Sequence, residues 1–215
     1  MDKAVELGQA IYSKKVLSIY DWWVLGISNS YIWKCSTELL ENEFRQHVSL
    51  NHLDVGVGTG YYLENCLNDQ PRRIALLDLN QNSLDSAASR IKQFEVETYQ
   101  ANALEELSLP CDKFDSISIN YLLHCMPGSI IDKAVLFKNL KAYLNPEGIL
   151  FGSTILSSGT KKGFLARHLM TLYNKKGIFG NAADNLSDLE TALITHFDHV
   201  NIRTKGCVAI FSAHD

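Results

Sequence analysis

Three glycines at alternate positions constrain this chain more than any other feature. Gly56, Gly58 and Gly60 directly follow residues 50–55, which predict a short strand, and a helix is predicted to begin at Tyr61. Glycine takes positive φ and lets another molecule approach the backbone, because it has no Cβ. A glycine turn between a strand and a helix therefore predicts a shelf of backbone N–H groups on which a cofactor can bind.

Two further details indicate which cofactor the turn binds. The spacing is G-x-G-x-G, whereas the dinucleotide fingerprint is G-x-G-x-x-G. Asp54 precedes the first glycine, where a carboxylate repels a pyrophosphate but can hold a cationic amino group. The second predicted strand, residues 73–80, contains Asp78, at a place where a carboxylate accepts hydrogen bonds from both ribose hydroxyls. Together these features favour S-adenosylmethionine over NAD.

Residues 54–60 and Asp78 closely resemble the first motif and the acidic residue after the second strand of class I (Rossmann-like) S-adenosylmethionine-dependent methyltransferases. The resemblance follows the order of elements from residue 53 to the end of the chain. It implies an α/β fold with a doubly wound, seven-stranded, mostly parallel sheet, an antiparallel last strand, and helices on both faces. It also implies an enzyme that transfers a methyl group from S-adenosylmethionine to an acceptor.

The resemblance assigns further cofactor contacts along the chain. Asn102 stands where the family usually has an aspartate against the adenine amino group, and its side-chain oxygen can accept the same hydrogen bond. Ala103 is expected to supply the neighbouring backbone contact. Asn120 ends the fourth predicted strand, beside the crevice in which ligands of such sheets bind. Thr59 and Leu79, each next to one of the two motifs, complete the predicted contacts.

The N-terminal residues 18–34 are dense in aromatic side chains. Tyr20 and Trp33 are similar in order and spacing to residues in the N-terminal segment of ubiquinone/menaquinone-biosynthesis C-methyltransferases, which folds over the cofactor. The resemblance predicts that both contact the methionine end of the cofactor. For Trp22 and Trp23 the simpler interpretation, that they seal the core, is favoured.

Methyl transfer from a sulfonium depends on positioning and on exclusion of water. A carbon acid, a phenol or a hydroxyl also needs a proton removed. His124 and Tyr121 follow the fourth strand and are the predicted catalytic residues. His124 is the candidate general base, because the unperturbed histidine pKa is about 6.5. The alternative is that His124 is simply packed on the short helix after the strand.

Composition limits the partners of the chain. Its 215 residues are 46% hydrophobic and 20% charged, with a net charge of −4, as expected for one soluble domain. No extended basic patch is visible, so DNA is not an expected partner. The five cysteines are scattered and form no C-x-x-C, which predicts free thiols and no metal site. No signal peptide or membrane-length apolar run is visible, so we expect a cytoplasmic monomer or homodimer.

We expect residues 1–215 to form a single methyltransferase domain with four parts. These are an N-terminal helical lid segment (1–49), a cofactor-binding core (50–155), a substrate-side insertion (156–184), and the last helix with a C-terminal hairpin (185–215). Aromatic residues in the lid and in residues 172–180 predict a small apolar or aromatic acceptor, with Lys175 near an acidic group of that acceptor.

Other functions stay open at this point. A protein or tRNA methyltransferase is disfavoured by the compact chain and by the lack of an appended binding domain. A dinucleotide-binding reductase is disfavoured by the glycine spacing and by Asp54. A non-catalytic methyltransferase-like partner subunit is disfavoured by the intact glycines and Asp78, although Asn102 departs from the family pattern.

Overall fold

The computed structural model of the chain describes residues 21–70 and 72–215, so Tyr20 lies outside the described residues. A π-helical segment, Asp21–Trp33, comes first. The α-helices are α1 (Thr37–His47), α2 (Tyr61–Cys66), α3 (Gln81–Arg90), α4 (Ile130–Lys133), α5 (Val135–Lys141), α6 (Phe164–Lys175) and α7 (Leu186–Ile194). The strands are β1 (Asn51–Val55), β2 (Arg73–Asp78), β3 (Val96–Gln100), β4 (Phe114–Asn120), β5 (Leu144–Ile155), β6 (His199–Lys205) and β7 (Val208–His214).

Within the described residues these strands form one seven-stranded sheet in the order β3-β2-β1-β4-β5-β7-β6. β1 to β5 run parallel to one another, whereas β7 is antiparallel to both of its neighbours, β5 and β6. The predicted fold class is therefore confirmed. The strand order reverses between β1 and β4, and ligands of open α/β sheets bind at such a point, beyond the carboxyl ends of the strands.

Helices cover both faces of the sheet, as the resemblance implies. On one face Phe44 of α1, Leu63 of α2 and Leu84 of α3 pack over the strands. On the other face α4, α5 and α7 pack over the same strands, with Leu136 and Leu193 fully buried. Strands covered on both faces need near-continuous apolar sequence, and all of residues 74–77 in β2 are buried.

A third cluster joins the N-terminal residues to α6 at the carboxyl ends of the central strands. Trp33 ends the π-helical segment, and Met170 lies on the buried side of α6. Both pack in one cluster with Tyr121, which follows β4, and Ile155, which ends β5. This cluster places residues from distant parts of the chain beside the crevice. Among the described residues, no helix combines the length and the apolar content needed to cross a membrane.

Two elements differ from what the sequence pattern predicts. The apolar positions of residues 130–143 predict one helix, but the structure divides it into α4 and α5 at Ala134, and Ser129 begins α4 with a capping box to Asp132. The turn over residues 144–148 predicts that the next strand begins at residue 148, but β5 begins at Leu144, because Phe114 pairs with Leu144 before the register shifts. The irregularity falls around Pro146, which has no N–H to donate to a strand ladder.

Candidate functional site

The glycine turn after β1 has the backbone geometry that its sequence predicts. Gly56, Gly58 and Gly60 all have positive φ, at 72°, 54° and 81°. A Cβ on Gly56 would lie 2.6 Å from the Leu122 side chain, and one on Gly60 would lie 2.6 Å from the Ala87 Cα. A Cβ on Gly58 would meet nothing within 4 Å. Packing against backbone therefore requires glycine at position 60, a Cβ at position 56 would need the Leu122 side chain to move, and position 58 borders open space.

Asp78 connects the end of β2 to this turn. Its carboxylate accepts a hydrogen bond from the backbone N–H of Asn80 at 2.8 Å, and others from the backbone N–H groups of Val57, Gly58 and Leu79. Burial raises the pKa of Asp78 to about 6, and these four bonds oppose the shift. The carboxylate is therefore predominantly charged at pH 7, and it lies against the backbone of the glycine turn.

Asp54 lies on β1, just before the turn, and is 6% exposed. The hydroxyl of Ser118 on β4 donates a hydrogen bond to its carboxylate. Burial raises the pKa of Asp54 to about 7; the Ser118 bond lowers it and the neighbouring Asp78 charge raises it further. A cation held beside Asp54 would keep it ionised near neutral pH, since an opposite charge favours the charged form.

Asn120 ends β4 at the switch point of the sheet. Its Oδ1 accepts a hydrogen bond from the Ser153 hydroxyl at 3.0 Å. Its Nδ2 is buried, and no atom of the described residues accepts a hydrogen bond from it. An unsatisfied buried donor costs about 1–3 kcal/mol. The side chain therefore has a free donor that a ligand oxygen or nitrogen can satisfy.

Tyr121 follows Asn120 with φ of 55°, an uncommon backbone conformation for a residue other than glycine. Its hydroxyl donates a hydrogen bond to Oδ1 of the fully buried Asn29 at 2.9 Å. Asn29 in turn donates to the Thr37 hydroxyl at 3.0 Å. This chain of bonds attaches the end of β4 to the N-terminal segment. The structure gives the Tyr121 hydroxyl a positioning contact. Its predicted catalytic role stays a prediction.

His124 lies in a 3₁₀ turn after β4 and is only 2% exposed. Its Nδ1 accepts a hydrogen bond from the Ile155 backbone N–H at 3.3 Å, and its ring packs edge-on against Phe179 at 4.7 Å. Burial, together with the charge of Lys133, lowers the pKa of His124 to about 3. An imidazole with so low a pKa is a weak base. These surroundings fit the alternative of a packed histidine, and the role of His124 as general base stays a prediction.

The remaining predicted contacts surround the glycine turn and the crevice. Trp33 is 1% exposed and packs against Phe179, with the ring centroids 5.8 Å apart. The carbonyl of Trp33 also accepts a hydrogen bond from the Cys207 N–H at 2.8 Å. Thr59 is buried in the turn, and Leu79 is half-buried after β2. The predicted contact of Tyr20 falls on a residue outside the described part of the chain.

Asn102 and Ala103 follow the carboxyl end of β3, next to β2 in the sheet. The Asn102 Oδ1 accepts a hydrogen bond from the Leu104 backbone N–H at 3.1 Å, and its Nδ2 donates to Glu105 at 2.9 Å. Ala103 is 5% exposed. Because its Oδ1 already accepts one hydrogen bond, Asn102 has one lone pair left for the predicted bond from an adenine amino group.

Residues 180–184 are held by contacts over long sequence distances. The Lys133 ammonium group donates to Asp184 at 2.8 Å, and the two side chains are 1% and 0% exposed. The Gly180 N–H donates to the His124 carbonyl at 2.8 Å, and Asn181 donates to the Ile155 carbonyl at 2.8 Å. Lys175 ends α6 and is exposed.

Three polar residues that touch the predicted site were not selected from the sequence: Asn29, His52 and Ser118. Asn29 carried no local signal, because its partner Tyr121 is 92 residues away. His52 and Ser118 carried a weak one. Each lies in a strand where buried polar residues alternate with buried apolar ones.

Comparisons with known proteins agree with this geometry. A family model described as a methyltransferase domain matches residues 53–150. The chain is 39% identical over 214 residues to demethylluteothin O-methyltransferase from Streptomyces thioluteus, a match that covers 99% of this chain and 93% of that protein. It is 42% identical over 183 residues to N-methyltransferase vrtF from Penicillium aethiopicum, covering 84% of this chain and 76% of that protein.

Solved structures share the fold at low sequence identity. The N-methyltransferase NodS from Bradyrhizobium japonicum WM9, in complex with S-adenosyl-L-homocysteine, superposes with a TM-score of 0.63 and 14% identity. The superposition covers 98% of this chain and 97% of the NodS chain.

Proposed function

Because this chain belongs to the methyltransferase family, we propose that it transfers the methyl group of S-adenosylmethionine to a small apolar or aromatic molecule. The observation that carries this proposal is the glycine turn joined to Asp78, with open space beside Gly58. Two similar proteins are named as an O- and an N-methyltransferase, which agrees with a nucleophilic oxygen or nitrogen on the acceptor.

The residues present fit the cofactor. Asp78 would accept hydrogen bonds from the ribose hydroxyls, and the space beside Gly58 would admit the cofactor close to the backbone. Asn120 would donate its unsatisfied Nδ2–H to an acceptor atom of the ligand. Asp54 would bind the cationic amino group of the methionine end. Asn102 and Ala103 would contact the adenine, and Thr59 and Leu79 would lie against the nucleoside.

The cofactor, when bound, supplies a methyl carbon attached to positively charged sulfur, which the lone pair of an acceptor can displace. The work of the protein is to orient the acceptor and to exclude water. Trp33, Tyr121 and Phe179 form a buried aromatic cluster beside the crevice that suits both tasks. His124 is neutral and packed, so we assign it a supporting position and assign no side chain as general base.

We also propose the finer features that the family resemblance implies. Residues 1–49, including Tyr20, would cover the cofactor as in quinone-pathway C-methyltransferases, and residues 50–155 would form the binding core. Residues 156–184 would bind the acceptor, with Lys175 near an acidic group, and residues 185–215 would complete the sheet. The enzyme would act as a monomer or homodimer in the cytoplasm, where its five free cysteines stay reduced.

Calorimetric titration tests this function directly. S-adenosylhomocysteine and NADH are titrated in parallel into the wild-type protein and into Asp78→Ala. We expect micromolar binding of S-adenosylhomocysteine by the wild type, loss of that binding in Asp78→Ala, and no binding of NADH. Acceptors are then screened with methyl-labelled donor among small aromatic phenols and amines. Binding of NADH in place of S-adenosylhomocysteine would overturn the proposal.

A further inference from the structure

The two central strands carry polar side chains on one face of the sheet, where apolar ones are expected. His52 and Asp54 on β1 pair in register with Ser116 and Ser118 on β4. Residues two apart in a strand point to the same face, so the four side chains form a ladder. Their exposures are 0%, 6%, 0% and 0%. Buried polar groups in a sheet core need a reason, since each costs free energy unless it is hydrogen-bonded.

Hydrogen bonds connect this ladder from the candidate site into the sheet. Ser118 Oγ donates to Asp54 Oδ1. His52 Nε2 lies 3.1 Å from Ser118 Oγ, and His52 Nδ1 lies 2.8 Å from Ser116 Oγ. Ser116 Oγ also accepts from the backbone N–H of Ser49 at 2.9 Å. The chain therefore runs from the carboxylate beside the glycine turn to the residues that precede β1.

The ionised state of Asp54 sets the direction of every bond in this chain. A carboxylate only accepts hydrogen bonds, so the Ser118 hydroxyl must donate to Asp54. Ser118 Oγ then accepts from His52, which places the ring proton on Nε2. His52 Nδ1 accepts from the Ser116 hydroxyl in turn. One tautomer of His52 thus supports a charged Asp54.

The surroundings of His52 keep the ring neutral and in place. Its ring packs against Phe44 with centroids 5.5 Å apart and against Phe151 with centroids 5.9 Å apart. Burial lowers the pKa of His52 to about 3; the backbone of Ser116 opposes this shift and the charge of Arg72 adds to it. A neutral ring is the form that can donate from one nitrogen and accept at the other.

We propose that His52 and Ser118 are positioning residues for the methyl donor, because they hold Asp54 charged and oriented so that its carboxylate binds the α-ammonium group of S-adenosylmethionine. This inference rests on the proposed function. In the sequence these residues are a His-x-Asp pattern in β1 and a Ser-x-Ser pattern in β4. The four side chains come together only because the two strands pair in the sheet.

Other titratable groups near Asp54 must be separated from this effect. Asp78 at the end of β2 acts on Asp54 and titrates in the same range, with a pKa of about 6. Cys66 of α2 also faces Asp54, but burial raises its pKa to about 12. The experiment therefore uses two ligands, S-adenosylhomocysteine and 5′-methylthioadenosine. Both contain the ribose that Asp78 would bind, and only the first has the amino group that Asp54 would bind.

The measured quantity is the ratio of the two affinities, by calorimetry, from about pH 5.5 to 8. For the wild type we expect the ratio to rise with pH through about 7, where Asp54 becomes charged. In Ser118→Ala the rise should move to higher pH and the ratio at pH 7 should fall about tenfold, because the carboxylate has lost a hydrogen bond. Ser89→Ala, at an exposed position of α3, is the matched control.

Two substitutions of His52 test whether it acts through Ser118. His52→Gln keeps an N–H donor and should keep a ratio close to that of the wild type. His52→Leu fills the site without a donor and should lower the ratio as Ser118→Ala does. The His52 pair gives the same comparison if Ser118→Ala does not fold.

The possible failures are distinguishable. An unchanged ratio in both Ser118→Ala and His52→Leu would overturn the inference. Equal losses of affinity for both ligands would also overturn it, because they would indicate a general packing effect. Failure of the wild type to bind S-adenosylhomocysteine at any pH would instead overturn the proposed function.

Discussion

The two regions that we propose to bind the cofactor and the acceptor, here called the cofactor side and the acceptor side, are built in different ways. On the cofactor side, the glycine turn, Asp54 and Asp78 lie within 25 residues and are fixed mainly by backbone geometry. On the acceptor side, Lys133 and Asp184 are 51 residues apart, and Tyr121 and Asn29 are 92 apart. Local backbone requirements can be recognised in a sequence, whereas pairs of distant side chains cannot. The variants below test whether substitutions on the two sides also differ in their effects on stability, ligand affinity and turnover.

The largest loss of folding stability is expected on the acceptor side. Lys133→Met leaves Asp184 buried without its charged partner, and breaking a buried ion pair in this way typically costs about 3–5 kcal/mol. Urea unfolding of Lys133→Met against the wild type measures this loss. Lys138→Met, at an exposed position of α5, should change the free energy of unfolding by about 0.5 kcal/mol or less.

The double variant Lys133→Met/Asp184→Leu shows whether the loss comes from the unpaired carboxylate. Replacing both members with apolar side chains should recover most of the stability, since no buried charge is left. If the double variant is as unstable as the single one, the buried pair is not what holds residues 177–184 in place.

The next largest loss of stability is expected on the cofactor side, where two glycines of the same turn should differ in their tolerance of a Cβ. Gly60→Ala adds a Cβ 2.6 Å from the Ala87 Cα at a φ of 81°, so it should cost about 2–4 kcal/mol in stability. Gly58→Ala has only the strain of positive φ and should cost about 1 kcal/mol. Thermal unfolding of both variants gives the comparison. Equal losses would contradict the assignment of open space to Gly58.

A third effect concerns ligand binding rather than folding. Asp78→Asn should lower the affinity for S-adenosylhomocysteine about 10- to 100-fold, because bonds to a charged acceptor contribute about 1.5–3 kcal/mol. The pKa of Asp78 in the folded protein, about 6, is above its unfolded value. The contribution of Asp78 to the free energy of unfolding therefore falls as pH rises from about 4 to 6. The stability of Asp78→Asn relative to the wild type should therefore improve over that window. Calorimetry and urea unfolding at several pH values check both parts.

The smallest effect is expected at His124. His124→Asn keeps an acceptor for the Ile155 N–H, so the turnover number should stay within about tenfold of the wild type once an acceptor is found. General bases contribute about 10²- to 10⁴-fold. A loss of turnover of that size, with unchanged affinity for the cofactor and unchanged stability, would support the role of His124 as general base.

The pH dependence of stability gives an independent check on His124. Its folded pKa of about 3 is below the unfolded value, so the neutral ring contributes stability above about pH 6.5 that is lost as pH falls towards 3. The deficit of His124→Asn relative to the wild type should be largest near pH 7 and shrink in acid. A deficit that does not change with pH would contradict the buried, neutral imidazole.

The sequence by itself determined the fold class and the cofactor side. Glycines at positions 56, 58 and 60 require positive φ or close packing, and the apolar run of β2 requires cover on both faces. Both requirements act between residues close in the chain. For this reason the fold class and the cofactor of the family could be predicted, through the family resemblance, before any contact was known.

Only the tertiary structure decided which polar side chains meet. His124 follows β4 as predicted, but the packing of Phe179 and the charge of Lys133 make it a neutral core residue. His52 is connected to Asp54 through Ser118 only because β1 pairs with β4 across more than 60 residues. Burial and long-range pairing set the pKa and the hydrogen bonds of such groups, and neither quantity depends on local sequence alone.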